Sequence, residues 1–296
     1  MGNEIKTQKN TWRGIGFAFK VFIYFYLANL AAQFFVSELA TFYAIGGFTG
    51  GTYQSLLDTM TELSASDGYS YAVGIIFDLA IAIWFGLWYR RAFYLPSVAE
   101  KGTLKDRIRL AKNPALNVAA LVLLALGFIY VVNFAYDLLT RFAPKLIMEY
   151  QSSISGQGFD KPSVVLFIYV VILAPIAEEF TFRGLIFEGM KKESNFWVAN
   201  ICQALIFASV HANVIQSAYT FVMALGLGYI CEKSGNILLA IGYHMIFNIF
   251  GVMLADYIPV PDGSNPVVTF IVLFAALNAC YIGMRIIITN HTEKTE

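Results

Sequence analysis

Eight stretches of this chain are apolar for about as long as a helix needs to cross a lipid bilayer, roughly 20 residues. They run over Gly14–Val36, Tyr69–Trp88, Ala115–Leu139, Ser163–Met190, Phe196–Ala212, Ser217–Cys231, Asn236–Tyr257 and Val267–Ile288. The sixth is the weakest, being short and containing Gly226 and Gly228. None alternates polar with apolar residues, as strands of a membrane barrel would. The expected fold is therefore all-α: a polytopic membrane protein of about eight transmembrane helices, one integral membrane domain over residues 1–296. Composition agrees, with 58% hydrophobic and 14% charged residues, against about 45–50% and about 25% in soluble domains. The formal net charge is zero, so no basic face is offered to nucleic acid, and the expected surroundings are the lipid bilayer. Cys202, Cys231 and Cys280 lie in apolar runs without metal-ligand spacing and read as small buried hydrophobes.

The first run exceeds the apolar region of a signal peptide, about 7–15 residues, and is read as a retained span. Met1-Gly2 opens like a myristoylation site, but Lys6 stands where Ser or Thr is required. Basic residues set the orientation. Lys6, Lys9 and Arg13 precede the first span, and the second loop holds Arg90, Arg91, Lys101, Lys105, Arg107, Arg109 and Lys112. Lys191, Lys192, Lys233, Arg285 and Lys294 fall on the same side, against only Arg141, Lys145 and Lys161 on the other. Both termini are thus expected in the cytoplasm, and the compact chain, without an organellar address, in a bacterial plasma membrane. The cluster Gly46, Gly47, Gly50, Gly51 is expected to form an outer loop or re-entrant turn, and the sequon Asn290-His291-Thr292 to sit inert on the cytoplasmic tail.

Ionisable groups in hydrocarbon are costly, so each marks a candidate site. The fourth run contains Pro175, Glu178, Glu179 and Arg183. Neighbours on a helix point about 100° apart, so the two carboxylates cannot face the same way. Glu179 and Arg183, four apart, share a face and are expected to pair. Glu178 then lacks a partner on its own helix, and a buried carboxylate of that kind is what a general base near neutral pH requires. Pro175 lacks an N–H, which is expected to free the carbonyl of Val171 and open a kink. The fifth run contributes Phe207 and His211, and the seventh His244 and Asn248, again four apart on one face. At about 1.5 Å rise per residue, Glu178, His211, His244 and Asn248 fall in one slab of the bilayer. Asp78 is a further intramembrane acid, read as structural or accessory, and Lys20 can reach the interface along its own stem.

Glutamate and histidine can activate water, and a second histidine with an asparagine can stabilise an oxyanion; together they suit amide hydrolysis. There is no His-Glu-x-x-His pair, no Gly-x-Ser-Gly and no Gly-Asp pair within a span. Two histidines and Glu178 could also hold zinc, since catalytic zinc takes about three protein ligands and water; a metal-free reaction is the reading preferred.

In order, Glu178-Glu179-x-x-x-Arg183, Phe207-x-x-x-His211 and His244-x-x-x-Asn248 resemble the motifs of the CPBP family, the CAAX-protease and bacteriocin-processing membrane proteins, also called Abi or Rce1-like. The resemblance covers about Ser163 to Tyr257. It implies an eight-helix intramembrane endopeptidase, often labelled a metalloprotease, acting on a membrane-associated peptide or protein. Among relatives it implies cleavage of prenylated tails, peptide processing or bacteriocin immunity. It further implies Glu178 as the water-activating base, His211 holding that water, and His244 with Asn248 at the oxyanion. Glu179, Arg183 and Phe207 match motif positions and are read as supporting residues. The competing reading is a non-catalytic scaffold or immunity protein of the same fold. A proton-coupled carrier ranks third, since no repeated halves are visible.

Overall fold

The computed structural model describes residues 9–47, 50–103, 106, 113–211, 213–261 and 263–291. Several residues used above lie outside that set: Met1, Gly2, Lys6, Lys105, Arg107, Arg109, Lys112, Ala212, Thr292 and Lys294. The described residues form helices and no strand.

Each apolar run is helical. Six helices are long and apolar enough to cross a membrane: α1 (Thr11–Gly46), α3 (Asp67–Lys101), α4 (Pro114–Phe142), α6 (Val164–Glu193), α8 (Val214–Ser234) and α10 (Pro266–His291). Two more, α7 (Phe196–Ser209) and α9 (Ile237–Met253), are apolar but shorter. The short α2 (Tyr53–Ser64) and α5 (Pro144–Gly156) occupy stretches expected to be connecting loops. Two expectations are corrected. The sixth run is not the weakest; α8 has 21 residues, because its glycines sit in mid-helix without ending it. The fifth run is the short one. Its helix stops after 14 residues, about 21 Å, where Asn213 caps the next helix by accepting from the Ile215 and Gln216 amides. His211 therefore lies in the turn between α7 and α8, not inside a span. The Gly46–Gly51 region links α1 to α2, with α1 ending at Gly46 and Gly50 at φ +125°.

A polar lock fixes this hairpin. Asn200 donates from Nδ2 to the Leu225 carbonyl at 3.0 Å, and Gln203 donates from Nε2 to the Ala224 carbonyl at 2.9 Å. Gly228 makes it feasible: a β-carbon there would meet Asn200 Oδ1 at 1.9 Å. Around it the buried core gathers Phe182, Leu185, Phe187, Phe207 and Leu227. On the lipid side, α1 and α10 expose large apolar residues such as Phe34, Phe42, Phe270 and Phe274, as expected where the solvent is hydrocarbon.

Among the described residues four segments are π-helical: Arg90–Tyr94 in α3, Phe167–Leu173 and Phe180–Phe187 in α6, and Ile249–Met253 in α9. Such widened turns often mark functional sites. Phe167–Leu173 has a local cause. In an α-helix the missing N–H of Pro175 would orphan the Val171 carbonyl, whereas π-helical bonding reaches five residues back and orphans Val170 instead. The Val170 carbonyl accepts a hydrogen bond from Asn248 Nδ2 at 2.9 Å. The expected orphan at Val171 is thus displaced by one residue, and α9 supplies the replacement donor.

Candidate active site

A cavity of about 730 Å³ opens between these helices, and Glu178, His211, His244 and Asn248 all line it, together with Asp78 and Tyr169. The residues come from α3, α6, the α7–α8 turn and α9. Tertiary packing therefore gathers what the sequence scatters over 171 positions (Asp78 to Asn248 inclusive).

At the wall of the cavity stands a line of charge-bearing groups. Arg183 Nη1 donates to Glu179 Oε1 at 2.8 Å, with both side chains sealed from solvent. The same Glu179 oxygen lies 2.9 Å from His244 Nδ1. The other face of that ring, Nε2, lies 3.6 Å from Glu178 Oε2. A carboxylate on one imidazole nitrogen fixes the proton there and aims the second nitrogen, the arrangement seen wherever a buried acid orients a working histidine. Glu179 therefore sits behind His244 and Glu178 before it. The Glu178 side chain keeps 20% of its surface exposed, against none for Glu179. Glu178 lacks a partner on its own helix, as the spacing required, but faces a ring from α9.

Phe207 is fully buried and serves three neighbours. The Arg183 guanidinium lies 4.6 Å above its ring, a cation–π contact that partly offsets the burial of Nε and Nη2, which have no hydrogen-bond partner. Its ring also meets His211 edge-on at 4.9 Å and His244 at 6.0 Å. Its carbonyl lies 3.0 Å from His211 Nδ1. A backbone carbonyl can only accept, so Nδ1 carries the proton and Nε2 is left as an acceptor.

His244 and Asn248 share a face of α9 and line the same cavity, but each is already engaged: His244 with both glutamates, and Asn248 with the Val170 carbonyl. Among the described residues no three His, Cys, Asp or Glu side chains converge where a metal ion could sit, and His244 Nδ1 is held by Glu179.

Asp78, expected to be structural or accessory, lies on the cavity wall, on the inward stripe of α3 that includes Tyr71, Gly74, Ile81 and Phe85. Spacing of three and four residues shows such a stripe but not which way it faces. Tyr169 and Asn133 also line the cavity; one is an aromatic and the other an amide within an apolar run, and neither carries a motif.

A helical membrane protein with a cavity lined by Glu178, His211 and His244, and with the sealed Glu179–Arg183 pair behind His244, is the class this fold and site define. Residues 160–250 match the model of the type II CAAX prenyl endopeptidase Rce1-like family. The "Putative membrane peptidase YdiL" of Bacillus subtilis (strain 168) is 28% identical over 90 residues, 30% of this chain. The chain thus matches 37% of the length of that curated relative. No solved structure matches.

Proposed function

We propose that this protein is an intramembrane endopeptidase that hydrolyses a peptide bond of a membrane-associated peptide or protein inside the cavity. The observation that carries the reading is the Glu179–His244–Glu178 line on the wall of a large cavity, with a second histidine beside it. Its substrate enters a multi-pass protein in the plasma membrane, with both termini in the cytoplasm.

Glu178 takes a proton from a water molecule, and His211, acceptor at Nε2, holds that water in line. The resulting hydroxide attacks the scissile carbonyl. Negative charge gathers on the carbonyl oxygen, where the second amide hydrogen of Asn248 is the available donor and the His244 ring lies alongside. Glu179 serves His244 by holding Nδ1, which fixes the ring so that Nε2 faces Glu178 and the cavity. Arg183 in turn pairs with Glu179 at 2.8 Å, both side chains sealed from solvent. The reaction is proposed to run without a metal, the supporting observation being that both nitrogens of His244 face glutamates, Nδ1 Glu179 and Nε2 Glu178.

The test compares membrane-peptide termini, by mass spectrometry, in cells expressing wild type and Glu178→Ala at equal protein levels. New termini present only with wild type support the protease and name its substrate. Identical termini in both support a non-catalytic scaffold of the same fold.

A further inference from the structure

Asp78 is 3% exposed, and it is the buried aspartate among the described residues. Its Oδ2 is sealed from solvent and has no hydrogen-bond partner. The residue nonetheless lines the cavity that holds Glu178, so its outlet is Oδ1. The close seam at this point is set by Gly74, one turn earlier on the same face of α3: a β-carbon there would come within 2.1–2.4 Å of the Tyr169 ring. Asp78 thus stands between α3 and the π-helical part of α6, with Tyr169 and Glu178 as the titratable groups that interact with it. An ionised carboxylate with a sealed, unpartnered oxygen is costly, whereas the neutral acid leaves only one carbonyl oxygen without a donor.

The geometry points to Asp78 as the second acid of the site, the group that protonates the departing amine. This rests on the hydrolysis proposed above. Glu178 removes one proton from water as the new C–O bond forms. When the tetrahedral intermediate collapses, the C–N bond breaks, its electron pair stays on nitrogen, and nitrogen takes the Asp78 proton. Glu178 is then neutral and Asp78 ionised. A proton passing from Glu178 to Asp78 through solvent in the cavity restores both, with one water consumed per bond cut. Two carboxyl groups in different surroundings divide the roles of base and acid.

Two measurements test it. Infrared spectroscopy of the purified full chain at neutral pH reads protonated carboxylic acids apart from carboxylates. Aspartate labelled with carbon-13 at the side-chain carboxyl makes the band assignable without any mutation. A protonated-aspartate band is expected in wild type and in Glu178→Gln, and its loss is expected in Asp78→Asn. Absence of the band from labelled wild type overturns the proposal. The second measurement takes the peptide identified by the terminus comparison and prepares it with the scissile bond as an amide and as an ester, whose leaving group needs no proton. Asp78→Asn should lose amide cleavage by about 10²–10⁴-fold and keep ester cleavage, while Glu178→Gln loses both. Equal loss on both substrates, or loss on neither, makes Asp78 structural and overturns the proposal. Cleavage that survives Glu178→Gln instead removes the hydrolysis reading itself, so the two failures are told apart.

Discussion

One oxygen of Glu179 serves two partners: Oε1 lies 2.8 Å from Arg183 Nη1 and 2.9 Å from His244 Nδ1. Glu179 is therefore the joint between a buried cation and the histidine that faces Glu178, and the two adjacent glutamates have opposite consequences when removed. Glu179→Ala strands Arg183 in a sealed site and should cost about 3–5 kcal/mol of stability. Glu178→Ala leaves no buried cation on its own helix unpaired and should change the melting temperature little, while abolishing cleavage. Thermal unfolding in detergent, read beside activity, checks both; if Glu178→Ala unfolds the protein and Glu179→Ala does not, the assignment of the two glutamates is reversed.

Asn248 and Pro175 should be coupled although they are on different helices. Asn248→Ala removes the donor from the Val170 carbonyl, at about 1–3 kcal/mol for an unsatisfied buried group. Pro175→Ala restores a backbone N–H one turn along from that carbonyl. In the Pro175→Ala background the Asn248→Ala cost should shrink, and a double-mutant cycle on stability should show a coupling of about 0.5–3 kcal/mol. Simple additivity would mean that the Val170 carbonyl is satisfied some other way.

The α7–α8 hairpin sets where His211 stands, so a change far from the chemistry should reach it. Gly228→Ala pushes a methyl into Asn200 Oδ1 and should destabilise by about 1–3 kcal/mol, with reduced cleavage as the turn shifts. Adding Asn200→Ala to it removes the clash and should recover part of the stability. Unfolding midpoints of the single and double variants decide this.

Removing metal ions should leave cleavage unchanged. Glu178 and Glu179 each face a nitrogen of His244, so treatment with EDTA or phenanthroline should alter the rate by less than about twofold, well under the 10–100-fold that loosening a metal site brings. Loss of activity that returns on adding zinc would replace the metal-free reaction.

At the other end of the bundle, Lys161 Nζ lies 2.9 Å from Asp67 Oδ2, and that hydrogen bond holds the ammonium above its ordinary titration range. Tyr71 donates to the Gly158 carbonyl beside it, tying the same connection to α3. Because the folded value is raised, the contribution is complete below the ordinary lysine range and fades as pH climbs through the raised value. A spectroscopic label at Asp160→Cys should report loosening only in strongly alkaline buffer in the wild-type background, and already at neutral pH in Asp67→Asn.

Much of this protein can be read along the chain. Hydropathy alone gives the all-helical membrane fold, because a backbone in hydrocarbon must bond within its own helix; of the eight apolar runs, six form helices long enough to cross. The Glu179–Arg183 pair is equally local, since four residues on a helix return to the same face. Three things required the tertiary structure. The end of α7 before His211 depends on Asn213 capping the next helix and on the Asn200–Gln203 lock, and hydropathy does not register either one. The carbonyl left open by Pro175 moved from Val171 to Val170 because a π-helical turn could form where Asn248 of another helix was present to bond it. Asp78 faces the cavity, and His244 meets both glutamates, because helices far apart in sequence pack at particular rotations about their axes. A helix's periodicity fixes which residues share a face, while the direction that face points is set only by the neighbours it packs against.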